Sequence, residues 1–199
     1  MSVVINVLFN GKSYLMSDGR TRYAATHEIK SENQPKIVMI SDEIAVGYTG
    51  TLEFAELMLK NYLILKNKND ISSFDRKFNL LNEIAKFLYS DRAYCISFLM
   101  SGMAEDGKMK TYTSGSSVNF QVQKLVCGQA IQLIEIGSDA IDFKAYMNAF
   151  LPTAHGSAES KIMQTMQRYI KAVADHDDTV NTNITRIILP NQGRTNESR

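Results

Sequence analysis

Residues 1–20, MSVVINVLFNGKSYLMSDGR, decide the architecture. Val3, Val4, Ile5, Val7, Leu8 and Phe9 make a nearly continuous apolar run, the pattern of a strand buried on both faces. Asn10-Gly11 follows, a hairpin signal because both turn positions need positive φ. Ser13 to Ser17 is then the returning strand, and Asp18-Gly19 a second turn. The hairpin therefore begins one residue after Ser2, and an acid closes its far end. With Met1 removed, Ser2 would carry a hydroxyl and an α-amine on one residue. An amine with a pKa of roughly 7.7–8.0 can take the proton of a neighbouring hydroxyl, so such a terminus is a nucleophile with its own base.

Working outward, the polar stretch from Arg20 to Pro35 reads as a loop or a ragged second hairpin. KIVMISDEIAVGYTG, opening at Lys36, gives two strands, Ile37–Ile40 and Ile44–Tyr48, joined at Ser41-Asp42. Helical spacing follows over Leu52–Lys66 and Phe74–Tyr89, with Leu52, Ala55, Leu59, Tyr62 and Leu63 as the stripe of the first. Phe54, Met58, Ile64 and Leu65 fall opposite that stripe and need cover. Strands return at Tyr94–Met100, Lys108–Thr113, Phe120–Val126 and Ala130–Ile136. Two helices, Ala140–Phe150 and Ser157–Ala174, precede a last strand at Asn183–Leu189 and a frayed polar tail from Pro190. Helices come in pairs between groups of strands. That order predicts an α+β fold in four αββα layers, with two mostly antiparallel sheets between helix pairs, as a single domain over residues 1–199.

Composition narrows the function. The chain is 44% hydrophobic and 22% charged, ordinary for a globular protein. A net charge of +1 leaves no electrostatic footprint for nucleic acid or a membrane surface. No stretch reaches the ~18 apolar residues of a membrane span, and no charged-then-apolar leader opens the chain, so a soluble cytoplasmic protein is expected. Cys95 and Cys127 lie in apolar segments and are expected to be buried free thiols. GxGxxG, Walker, HExxH and CxxC patterns are absent, so no cofactor or metal is expected. His27, His155 and His176 sit in polar surroundings and read as surface residues rather than members of a triad.

The order of these signals resembles the proteasome β-type N-terminal nucleophile (Ntn) hydrolases. They are a hydroxyl residue near the terminus, a hairpin ending in Asp-Gly, a KI strand start, AVGYTG at a strand end and a later IGS turn. The nearest likeness is to the bacterial peptidase HslV and the β-subunits of 20S proteasomes. The resemblance covers nearly the whole chain in element order and rests on four short segments. It implies Ser2 as the nucleophile, where the family has threonine, and Asp18 paired with Lys36. It implies that the Gly47 N–H faces the oxyanion and that Ser138 bonds the terminal amine. Asp177 or Asp178 falls near a further supporting aspartate. It also implies a peptide or unfolded-protein substrate, a homo-oligomeric ring of six or seven subunits and a place for an ATP-dependent unfoldase partner. Two readings remain beside a proteasome-like peptidase: a catalytically silent subunit serving assembly, and an Ntn amidase acting on a small amide. The sequence departs from HslV in its serine and in a longer segment between Thr113 and Ala130.

Overall fold

The computed structural model describes residues 2–23, 26, 28–68, 71–89 and 95–190. In chain order its elements are β1 (Val3–Phe9), β2 (Lys12–Ser17), β3 (Thr21–Arg22), β4 (Ile29–Ser31), β5 (Ile37–Ser41), β6 (Ile44–Gly50), α1 (Leu52–Lys68) and α2 (Phe74–Leu88). They continue with β7 (Ile96–Met103), β8 (Met109–Gly115), β9 (Gln123–Val126), β10 (Gln132–Gly137), α3 (Phe143–Phe150), α4 (Ala158–Ala174) and β11 (Thr185–Leu189).

The Asn10-Gly11 turn forms as its residue types require, with φ of 49° and 73°. It folds β2 onto β1 in a register running from Phe9↔Lys12 to Val4↔Ser17. β10 and β11 close on either side, giving the order β10-β1-β2-β11. A second sheet runs β5-β6-β7-β8-β9, and β3 pairs with β4. Every neighbouring pair in these sheets is antiparallel.

Strand alternation sorts the apolar run of β1 onto two faces. Val3, Ile5 and Val7, with Tyr14 and Met16 of β2, pack against α3 and α4 through Phe143, Met147, Met166, Tyr169 and Ile170. Val4 and Leu8, with Leu15, face the other way and meet Ile37, Ala45 and Leu99 of the second sheet. The far side of that second sheet packs on α1 and α2 through Val46, Phe98, Phe54, Met58, Phe78 and Leu81. Each such side chain, removed fully from water, contributes about 1.5–3 kcal/mol.

Between the sheets sits a polar exception. Asn6, fully buried on β1, donates to Ser13 Oγ at 2.5 Å and accepts from Thr111 Oγ1 at 3.1 Å. Ser101 Oγ lies 2.7 Å from both Ser13 Oγ and Thr111 Oγ1. Four side chains from four strands thus satisfy one another in a ring, which a one-residue slip of any strand would open.

Several expectations are corrected. Phe54 and Met58 belong to the core, whereas Leu63, given to the buried stripe, is exposed together with Leu57, Ile64 and Leu65. Packing against both the sheet and α2 widens the buried arc of α1 beyond a single stripe. Both thiols are free, but Cys95 is exposed and Cys127 half-buried. Phe120 is not a strand residue: Asn119 and Phe120 take φ of 50° and 56°, and the Phe120 ring turns inward to meet Tyr89 edge-on. β9 therefore starts only at Gln123. α3 starts at Phe143 rather than Ala140 because Asp142 is its N-cap, accepting from the Ala145 N–H at 2.9 Å. α4 begins after Ser157 as expected. His155 and His176 are exposed. His27, the expected strand start at Tyr94 and the tail beyond Pro190 lie outside the described residues.

The polar ring has a measurable consequence. Asn6→Ala leaves Ser13 and Thr111 short of partners and opens a cavity, so urea denaturation should report a loss of about 2–4 kcal/mol. Thr111→Val, which keeps the volume, should cost about 1–2 kcal/mol.

Candidate active site

Pro35 precedes Lys36 and carries the chain into β5, and Lys36 is nearly fully buried, at 2% exposure. An ammonium there survives only if every N–H finds an acceptor. Three partners are in place. Asp18 Oδ1 and Oδ2 accept at 2.8 and 2.9 Å, the Arg20 carbonyl at 2.5 Å and Ser2 Oγ at 2.7 Å. Asp18 is fully buried at the end of the first hairpin. Its other lone pairs take the Val3 N–H at 3.0 Å and the Arg20 N–H at 2.9 Å. Burial pulls the Lys36 ammonium below the ordinary lysine range, and the Asp18 carboxylate opposes that shift only in part.

Ser2 is held from the other side by the IGS turn. The Ser138 N–H donates to the Ser2 carbonyl at 2.8 Å. Gly137, at φ +109°, lies so close that a Cβ there would come within 1.8 Å of the same oxygen. Ser138 Oγ donates to Asp177 Oδ2 at 2.6 Å. Of the two candidate acids only Asp177 reaches this side chain; Asp178 is exposed and pairs with Arg22 at 3.1 Å. Burial alone would raise the Asp177 carboxyl, but donors from Ser138 and Thr179 outweigh it and hold the group below the usual aspartate range.

Ser2, Asp18, Lys36 and Ser138 are thus brought together. Gly47 pairs with Ile37 and Leu99 within its sheet, and its Cα faces Val4, whose Cγ1 a Cβ would approach to 2.8 Å. Tyr48 turns its N–H to the Lys36 carbonyl, so strand alternation turns the Gly47 N–H to the Leu99 side of β6 rather than to Ser2. Two contributors went unread. Gly137 reads in sequence as a strand breaker, although glycine at the junction of a strand and the IGS serine was a signal of close approach. Asn181 gave no signal at all: its Oδ1 takes the Gly19 N–H at 2.9 Å and its Nδ2 donates to the Glu32 carbonyl at 2.8 Å, pinning the turn after Asp18. Beside Ser2 opens a cavity of about 300 Å³ bounded by Thr49, Gly50, Tyr89, Cys95 and Gly137. Its described lining carries no charged side chain.

This hairpin-led pair of antiparallel sheets with helices on their outer faces is similar to the fold of proteasome-like proteins. Solved structures with that likeness include the eukaryotic HslV of Trypanosoma brucei, at 16% identity and a TM-score of 0.63, covering 94% of this chain and 98% of that one. Anbu, an ancestral β-subunit, from Yersinia bercovieri is similar at 13% identity and a TM-score of 0.71, covering 94% and 80%. Anbu of Pseudomonas aeruginosa, solved as a helical assembly, is similar at 12% identity with the same TM-score and coverage. No protein-family model matches the chain, and no curated protein matches it in sequence. At these identities the likeness carries the fold alone.

Two measurements follow from the geometry. Lys36→Ala strands a buried carboxylate and should lower stability by about 3–5 kcal/mol, whereas the double variant Asp18→Asn, Lys36→Met should recover most of it. Ser138→Ala removes a donor from Asp177, so carboxyl NMR should show that residue titrating higher than in the parent. A depressed carboxyl stabilises above its unfolded pKa and loses that contribution as pH falls through its folded pKa. The variant should therefore lose less stability on acidification.

Proposed function

We propose that this chain is a four-layer αββα hydrolase that cleaves peptide or related amide bonds with Ser2 as an N-terminal nucleophile. The observation that carries the reading is the Lys36 ammonium, fixed by Asp18 and 2.7 Å from Ser2 Oγ in a buried site. A lysine that donates to the hydroxyl oxygen leaves the hydroxyl proton free to go elsewhere. Its positive charge also favours the neutral form of a nearby amine. With Met1 removed, the Ser2 α-amine takes the Oγ proton as Oγ bonds to the carbonyl carbon. The amide C–N bond then breaks, the leaving amine carries off that proton, and water hydrolyses the ester left on Ser2. In this reading Ser138, backed by Asp177, orients the amine. The uncharged cavity beside Ser2 suits an apolar or small polar side chain.

The helical assembly of one structural neighbour and the exposed Leu57, Leu63, Ile64 and Leu65 of α1 support a homo-oligomer. Unfolded chains reaching Ser2 inside such an assembly would be the substrate, delivered by an unfoldase. Light scattering should report a multiple of 22.4 kDa.

The decisive experiment begins with intact mass, to establish a chain starting at Ser2. That chain should hydrolyse peptidyl amides and gain one adduct from a peptidyl electrophile. Ser2→Ala, which keeps amine and backbone, should abolish both while leaving the fold and the assembly mass unchanged. Cleavage that survives Ser2→Ala overturns the mechanism. A Ser2-first chain that neither cleaves nor labels reduces the site to a structural ion pair.

A further inference from the structure

Glu135 lies on β10, two residues before Gly137, and its side chain turns towards α4 rather than into the Ser2 cluster. The Tyr169 hydroxyl of α4 contacts Glu135 Oε1 and also lies 2.7 Å from the Ile141 carbonyl. A phenol has one proton, and here it faces two acceptors. The arrangement is satisfied throughout only when Glu135 carries a proton of its own. The carboxylic O–H then donates to Tyr169 Oη, and the Tyr169 O–H is released to Ile141. When Glu135 gives its proton to solvent, the charged carboxylate takes the phenol's proton as the stronger acceptor. Ile141 is left without its donor.

We propose that Glu135 is a positioning residue whose proton fastens the Gly137–Asp142 segment to α4, and with it the Ser138 that grips Ser2. The segment runs from Gly137, packed on the Ser2 carbonyl, through Ser138 to Ile141 and the α3 cap at Asp142. The anchor Tyr169 and the Ser138 partner Asp177 belong to α4 and its exit. Strand β10 and helix α4 thus hold the segment at both ends.

The surroundings set where this fastening acts. Tyr169 faces Glu135 from α4, and Asp139 and Asp142 face it from the approach to α3. Tyr146 of α3 packs on the Tyr169 ring, with Arg168 near its hydroxyl. Burial is the main force raising the Glu135 carboxyl, to about 7, and both aspartates add to it. Bonds from Tyr169 and the Phe143 N–H work against the rise without cancelling it. Burial and the neighbouring carboxylate push the Tyr169 phenol far above its ordinary range, so it keeps its proton throughout.

Carboxyl NMR and amide hydrogen exchange test this without requiring turnover, so they stand or fall independently of the Ser2 mechanism. In the parent protein Glu135 should titrate near 7. Protection of the Ser138 amide, corrected for intrinsic exchange, should fall about fivefold to tenfold from ~pH 6 to ~pH 8.5, the worth of one hydrogen bond. Glu135→Gln keeps a donor towards Tyr169 and should hold Ser138 protection high at both pH values. Tyr169→Phe should show the low level at both. If Ser2 is the nucleophile, the ratio of kcat in Glu135→Gln to kcat in the parent should rise over the same range, with KM unchanged. A Glu135 that titrates in the ordinary glutamate range overturns the proposal. So does Ser138 protection that is flat in the parent or falls equally in Glu135→Gln.

Discussion

A lysine buried to 2% exposure is the constraint on which the Ser2 end of the molecule depends. An ammonium out of water costs several kcal/mol unless its donors are all met. Meeting them takes the carboxylate of Asp18, the carbonyl of Arg20 and the hydroxyl of Ser2, drawn from the start of one strand, the end of the next and the turn beyond it. The hairpin cannot shift register without breaking this set, because Asp18 also takes the Val3 N–H. Local chain geometry and the electrostatics of the site are therefore one problem with one solution. The Asn6, Ser13, Ser101 and Thr111 ring does the same for the two sheets, fixing how they lie across one another where apolar contacts alone would tolerate sliding.

Much of this was legible because the relevant signals are local. Asn10-Gly11 states its turn outright, and the unbroken run from Val3 to Phe9 states burial on two faces. Ser157 marks its helix by supplying the capping oxygen. Asp18, Lys36, Ser2 and Ser138 were readable only as an ordered set through the family likeness, since none of them is distinctive alone. What stayed hidden depends on distant partners. Phe54 and Met58 are core because both a sheet and a second helix press on α1, and no periodicity within α1 records that. Phe120 alternates like a strand residue, yet its left-handed backbone turns it onto Tyr89. Asn181 reaches Gly19 across 162 positions, a distance over which a sequence window has no sight.

Gly47 shows where likeness and geometry speak to different questions. Its lack of a side chain is explained by Val4, which occupies the space a Cβ would need. That packing demand would keep a glycine there with or without any chemistry at its N–H. Gly137 differs, because the atom it would strike is the Ser2 carbonyl itself. Of the two glycines, Gly137 is the one whose backbone the site geometry fixes directly.

The partner strands of β1 carry a consequence for the order of events in synthesis. β2 follows at once, but β10 begins only at Gln132, so the Ser138 N–H cannot reach the Ser2 carbonyl until about two-thirds of the chain exists. At a synthesis rate of roughly 5–20 residues per second, Ser2 stays uncovered for about 7–30 seconds. An enzyme that removed Met1 would have that interval in which to act. Once β10 docks, the residue sinks to 7% exposure, so the proposed mechanism would need the terminus freed before that docking.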